Sequence, residues 1–157
     1  LDAPGARRID EAQVCVGRGP GDFARACNAL TRWQQFAFDW VETYPRDAPV
    51  AVGTVVAVLI RHLGFWSLNG CRVVYHVGPQ GAGERFGYAY GTLPNHAEGG
   101  EELFEVSMDS RTLAVTYRIR ATSWPNAALA HLGQPIVRRL QARFRRDSLA
   151  AMARAVR

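Results

Sequence analysis

Between Glu84 and Met108 the chain reads ERFGYAYGTLPNHAEGGEELFEVSM, and its first half alternates without exception. Phe86, Tyr88 and Tyr90 fall on one side and Gly87, Ala89 and Gly91 on the other, which is the period of two of an extended strand. One face is an aromatic ladder and the other is nearly bare backbone. Glycine weakens a strand interior unless something must approach closely, so the Gly-Ala-Gly face predicts tight contact with a helix, another strand or a ligand. A polar loop from Pro94 to Gly100 follows, with Asn95, His96 and Glu98 in it and Glu101 and Glu102 just beyond. The alternation then resumes, with Glu102, Phe104, Val106 and Met108 on one face and Glu101, Leu103, Glu105 and Ser107 on the other. Glu102 thus falls on an apolar side.

The same period recurs along the chain. Ala12, Val14 and Val16 predict a first strand over Ile9 to Val16, and Asp22 is placed to cap a short helix carrying Phe23, Ala26, Cys27 and Leu30 to about Thr31 or Trp33. Phe36, Phe38, Trp40 and Tyr44 form a second period-two ladder, expected as a strand closed by Pro45 and Pro49. Gly53 to His62 is apolar on both faces, which predicts a central strand covered on each side or a strongly curved one. Leu63 to Gly70 breaks the pattern and reads as a turn with an aromatic corner. Cys71 to Val77 and Leu113 to Ala121 alternate again.

From Trp124 the period changes to 3.6. Leu129, Ile136, Leu140 and Phe144, with Val137 and Ala151, make an apolar stripe; Arg138, Arg139, Arg143, Arg145 and Arg146 take the rest of the circumference, and Asp147 projects from the buried side. Gly133 and Pro135 predict a kink or a separate leading turn. The order is strand, helix, about six antiparallel strands and one long amphipathic helix. A sheet of about seven strands with one apolar face and a single long helix to cover it is expected to curl around that helix. The expected class is α+β, a helix-grip arrangement forming one domain over residues 1–157, and such a grip leaves a pocket for apolar ligands between helix and sheet.

Composition excludes more than it identifies. All 19 basic residues are arginine, so neither a side-chain Schiff base nor a phosphate-loop lysine is available. Cys15, Cys27 and Cys71 are odd in number and widely spaced, fitting neither a disulfide framework nor a zinc site. No apolar run is long enough to span a bilayer and no signal peptide is present, so a cytoplasmic setting is expected. No sequence feature specifies an oligomeric state.

Three stretches carry a resemblance. FGYAYGTLPNHAEGGEE, the upstream GTVVAVLIRHLGFWSLNGCRVVY and the C-terminal LGQPIVRRLQARFRRDSLAAM resemble the bacterial and plant domain-of-unknown-function family numbered nineteen-ninety. The likeness covers most of the chain, and its Y-G-T-L-P-x-H run is distinctive. That family is similar to the START and birch-pollen-allergen superfamily. The resemblance implies a helix-grip fold and binding of hydrophobic small molecules, or, as in some members, cyclase, hydrolase or lyase chemistry. It implies no assigned reaction, because one fold hosts unrelated activities.

The candidate ligand-binding residues are Tyr88, Tyr90, His96, Glu98 and Glu102. The tyrosines would orient a ligand with their hydroxyls, although aromatics on a strand also serve simply as core. His96 and Glu98, with Glu101 or Glu102, would act as acid and base over an apolar pocket, where desolvation raises a carboxylate pKa; the same residues would suit a solvated loop. His96, Glu98 and Glu102 lack a recognised zinc spacing, so no metal is expected, and no organic cofactor is expected either. His62 and Arg61 read equally as structural residues, and Asp147 as an inward carboxylate or as a partner of Arg143 one turn away. The expected function is binding of a small apolar molecule. One alternative is a cofactor-independent enzyme using Tyr90, His96 and Glu102, and another is an interaction module built on the arginine-rich helix. Arginines on the exposed arc of a helix are ordinary solvation, and no nucleic-acid motif accompanies them, so nucleic acid is not an expected partner.

Overall fold

The computed structural model describes residues 8–79, 83–93, 98–125 and 128–157, with the backbone alone for 98, 124, 125 and 128–134. Strand β1 (Arg8–Arg18) leads directly into helix α1 (Gly19–Thr31), and a 3-10 turn over Gln34–Phe36 precedes the short β2 (Val41–Tyr44). Strands β3 (Val55–His62), β4 (Phe65–Val77), β5 (Glu84–Thr92), β6 (Glu98–Met108) and β7 (Ala114–Pro125) follow, and helix α2 (Ala128–Val156) completes the chain. Together the strands form one antiparallel sheet in the order β1-β7-β6-β5-β4-β3-β2. This is a helix-grip α+β fold: the sheet curls, and its inner face meets α2.

Alternation in the sequence becomes sidedness in the sheet. Tyr88, Phe104, Val106, Val115, Tyr117 and Ile119 are fully buried on the inner face. Their rings pack at centroid distances of 5.7 Å for Tyr88–Phe104 and 5.2 Å for Tyr90–Phe104, within the range where edge-to-face contact adds to burial. Gly87 shows why the opposite face of β5 is bare. A Cβ there would lie 2.3 Å from the Phe104 carbonyl oxygen and 2.9 Å from Glu105 Cα, so the close contact foreseen is with the backbone of β6. On that outer face Glu105 is buried, with Arg85 Nε donating at 2.5 Å and Arg118 Nη2 at 3.0 Å.

Four local expectations are corrected. Helix α1 begins at Gly19, three residues before Asp22. Asp22 lies in its first turn, where its Oδ2 accepts the Arg18 backbone N–H at 2.7 Å. The Phe36–Tyr44 ladder is a strand only from Val41. Phe36 ends a 3-10 turn and Trp33 adopts φ 57°, and the parity breaks at Trp40 and Val41, which are both buried, so that Thr43 points inward and Tyr44 is exposed. Strand β3 lies between β2 and β4 in the curled sheet, and of its two expected settings cover on each side is the one not met, since Val55 is exposed and Leu59 only partly shielded on its outer face. The turn expected over Leu63–Gly70 is only Leu63–Gly64, both left-handed (φ 50° and 79°), with His62 paired to Phe65 across them. A two-residue loop of that conformation matches strand twist, so β4 starts at once.

Helix α2 is continuous through Pro135. It rests on β1, β7, α1 and the 3-10 turn, and its C-terminal half supplies the buried side chains Phe144, Ser148, Ala151, Met152 and Val156. The N-terminal half stands off the sheet: Val137 and Leu140 are only partly shielded and Ile136 is exposed. Asp147 does project inward. It accepts the Trp40 indole N–H at 2.9 Å and pairs with Arg143 at 3.5 Å and Arg146 at 3.0 Å. Burial alone would raise its pKa, but the Trp40 and arginine contacts outweigh that and hold it below the usual aspartate value.

The contact at Gly87 is with main chain, which cannot move aside. Replacing Gly87 by Ala is therefore expected to destabilise the fold by about 1–3 kcal/mol, the usual cost of overpacking, while Gly91→Ala, where the nearest atom is Val74 Cγ1 at 3.5 Å, should fall well below that. Urea unfolding of the two variants measures the difference.

Candidate functional site

The stand-off of α2 encloses a cavity of about 510 Å³ between its N-terminal half and strands β3 to β7. Its walls are mainly apolar: Val58, Ile60 and Ala121 from the sheet, Val137 and Leu140 from the helix, with Trp40 and Phe144 across one end. Phe144 packs at a tilt against Phe36 and Phe38, with ring centroids 5.3 and 5.7 Å apart, so that end is closed by aromatic packing. At the other end Leu63 and Ile136 line the cavity while remaining largely exposed, which makes them its rim.

Several polar groups on the wall already serve the backbone. Asn69 Nδ2 donates to the Val58 carbonyl at 3.1 Å and Ser67 Oγ to that of Ile60 at 3.4 Å. The pair left facing the interior is Tyr90 and Glu102, adjacent on β5 and β6 by register, with the Tyr90 hydroxyl donating to Glu102 Oε2 at 2.6 Å. Arg145, also on the wall, is the nearest balancing charge and pairs with Asp10 at 3.8 Å. Burial pushes the Glu102 carboxyl up to about 7, against the smaller lowering by the Tyr90 hydrogen bond and Arg145. Burial likewise raises the Cys71 thiol to about 12, with Glu102 adding to it, and holds the Tyr90 phenol well above its ordinary value. At neutral pH the cavity thus holds one proton-exchanging carboxyl group beside a neutral phenol.

The candidate residues separate. Tyr90 and Glu102 come together on the wall. Tyr88, two residues from Tyr90 on the same face, takes no part in the lining: it is fully buried, and Gln35 Nε2 donates to its hydroxyl. The expectation that its hydroxyl orients a ligand is corrected, because Gln35 and the Trp33 ring, 5.2 Å away, enclose it in core. His96 lies outside the described residues, and Glu98 is described only as the first residue of β6. Glu101 also lines the cavity but accepts the Tyr75 hydroxyl at 2.6 Å.

One group escaped the sequence reading and another, His62, was left ambiguous by it. Arg145 was expected on the exposed arc but is mostly shielded, because Val137, Gln141 and Arg145 form an i, i+4, i+8 row beside the stripe. His62 lines the wall, and its Nδ1 is buried with no protein partner. The clue for His62 was its place at the end of an apolar strand. Among the described residues no group of three His, Cys, Asp or Glu side chains is arranged to hold a metal, and the three cysteines are free thiols.

Comparison with known proteins agrees with this architecture. A family described as "Domain of unknown function (DUF1990)" matches residues 2–151. A UPF0548 protein of Dictyostelium discoideum is 37% identical over 156 residues, covering 94% of this chain and 72% of its own. Another, from Deinococcus radiodurans, is 32% identical over 163 residues, covering 97% and 80%. A relative from Arabidopsis thaliana, 32% identical over 155 residues and covering 94% and 73%, places such chains in plants, and the Dictyostelium protein extends them beyond bacteria and plants. Among solved structures, the di-domain ARO/CYC StfQ from the steffimycin biosynthetic pathway is similar at TM-score 0.64 and 14% identity, over 96% of this chain and 51% of that one. Ara h 8.0201 is similar at TM-score 0.57 and 12% identity, over 96% and 98%. At such identities the likeness is one of fold.

The raised Glu102 pKa has a definite sign for stability. The fold keeps this group protonated to higher pH than the unfolded chain does, so its contribution is fully present below about 4.5 and is lost as pH rises through about 7. Glu102→Gln, which keeps an acceptor for Tyr90, should be more stable than the parent by roughly 2 kcal/mol above pH 7. The difference should shrink toward pH 4.5, as thermal unfolding of both proteins across that range would record.

Proposed function

Since the chain belongs to the DUF1990 family, we propose from its geometry that it binds a small, largely apolar molecule between the sheet and α2, with one polar group of that molecule held by Tyr90 and Glu102. The observation that carries this reading is a cavity of about 510 Å³ with apolar walls and a convergent hydroxyl–carboxyl pair. Its volume is within the usual range for small-molecule sites, which combine apolar lining with a few placed polar groups. The fold likeness adds analogy: norcoclaurine synthase from Thalictrum flavum, similar at TM-score 0.53 and 11% identity over 97% of this chain and 85% of that one, has been crystallised with dopamine and hydroxybenzaldehyde.

Apolar contact with Ile60, Val137 and Leu140 supplies most of the affinity in this reading, at about 25 cal/mol for each Å² removed from water. The Tyr90–Glu102 pair supplies orientation. A ligand hydroxyl or amine would meet an acceptor in Glu102, and a ligand carbonyl would meet the carboxyl proton that burial retains near neutrality. The second reading is proton-transfer catalysis on the same pair. It is favoured by one specific feature, a carboxyl pKa of about 7 facing the cavity, since a general acid or base works best near its operating pH.

Native mass spectrometry of freshly purified protein is expected to show a retained small molecule, and anilinonaphthalene sulfonate to bind with enhanced emission. Ala121→Phe, which places a ring inside the cavity, should weaken probe binding roughly tenfold or more while near-UV dichroism keeps its native form. Unchanged probe affinity in that variant would end the cavity-binding reading. A retained molecule recovered chemically altered by the wild type, but intact with Glu102→Gln, would decide for catalysis over carriage.

A further inference from the structure

The rim of the cavity gathers several exposed apolar side chains in one place. Leu63 at the apex of the β3–β4 turn is 74% exposed, Phe65 72% and Trp66 48%, and Ile136 across the mouth on α2 is 48% exposed. Register fixes how they point. Phe65 pairs with His62 and shares its face, which is the cavity face, whereas Trp66 pairs with Arg61 on the other. The turn is therefore apolar on both faces and at its tip. Leucine at φ 50° is also a conformation that asparagine or glycine adopts at lower cost, so folding alone does not account for an exposed Leu63.

The two stretches that frame the mouth carry basic and no acidic residues. From Asp47 to Glu84 the intervening chain has no acidic residue, and none lies between Asp109 and Asp147; these two spans contain the turn and the helix half that frame the mouth. Arg61 lies with its guanidinium carbon 5.9 Å from the Trp66 ring centroid, and Arg138 and Arg139 are exposed just after Ile136. The acidic wall residues Glu101 and Glu102 are engaged by Tyr75 and Tyr90.

We infer that this rim docks on the surface of an anionic phospholipid bilayer, with Leu63, Phe65 and Trp66 inserted among the lipids and the neighbouring arginines at the phosphates. A wedge that is apolar on two faces and the tip suits a fluid medium that closes around it; a rigid partner would cover one face and leave the other in water. Exposed aromatics at headgroup depth and basic side chains beside them are what interfacial binding draws on. The cavity mouth then opens toward the hydrocarbon, a source of apolar ligand.

The test is flotation with vesicles of phosphatidylcholine containing about a third phosphatidylglycerol, against phosphatidylcholine alone, at low and high salt. Wild-type protein should float with the anionic vesicles, more weakly as salt rises, and Trp66 emission should shift blue. Phe65→Ser with Trp66→Ser should lower partitioning roughly tenfold or more, and Arg61→Gln about fivefold. These side chains are exposed and outside the cavity lining, so melting temperature and binding of anilinonaphthalene sulfonate should stay as in the wild type. That separates this inference from the ligand-binding reading, which would fail through the probe and leave flotation intact. Absence of wild-type protein from the anionic vesicles, or equal partitioning by the double serine variant, would overturn it. So would sedimentation showing a wild-type dimer that the double variant dissolves, or duplex nucleic acid retained by wild type and lost with the same substitutions.

Discussion

The packing of Phe144 against Phe36 and Phe38 decides where the solid core ends and the cavity begins. On its C-terminal side α2 lies on β1, β7 and α1 and buries Ala151, Met152 and Val156. On its N-terminal side the helix has no aromatic partner of that kind among the described residues, and the curled sheet falls away beneath it. A helix fastened along half its length over a concave sheet necessarily holds open volume under the other half. The cavity follows from this lever, and the residues around it follow from which strand positions the curl presents there.

One polar pair is set into that volume by the pleat alone. Tyr90 and Glu102 are directly opposed on β5 and β6, so they share a face whatever the loop between the strands does. Burying a carboxyl group among apolar side chains is tolerated because it remains protonated near neutrality and because Tyr90 donates to it. Glu105, three residues on and facing outward, shows the other solution: Arg85 and Arg118 close over it, and the charge is retained by pairing. Two shielded glutamates in one strand, Glu102 half-buried and Glu105 buried, thus take opposite courses because one faces a cavity and the other faces arginines.

Much of this was legible in the sequence, and the limits have physical causes. Period-two alternation identified β5, β6 and β7 with their inner faces, including Glu102 on the apolar side, because side-chain direction in a strand is set by parity. The helix-grip class followed from one long amphipathic helix after a run of strands. Alternation misled at Phe36 to Tyr44, where a 3-10 turn and a change of parity between Trp40 and Val41 leave Tyr44 outside, and at Leu63 to Gly70, where exposed apolar residues in a strand resembled an irregular corner. Tyr88 and Tyr90 could not be told apart by parity. Only the position of Gln35 and Trp33 places one in core and the other on the cavity. Arg145 was hidden because a helical stripe has no sharp edge, and a long side chain at its border can turn either way.

Trp40 adds a polar tie to the aromatic contact between α2 and the segment before β2. Its ring forms part of the cavity wall, its indole N–H holds Asp147 on α2, and the Arg143 guanidinium carbon lies 4.4 Å from its ring centroid. Whatever displaces that ring must also loosen the clasp between the entrance to β2 and the helix. A guest filling the interior would press on α2 through this indole as well as through Val137, Leu140 and Phe144 on the helix itself, so its fit would be registered in how the helix is seated.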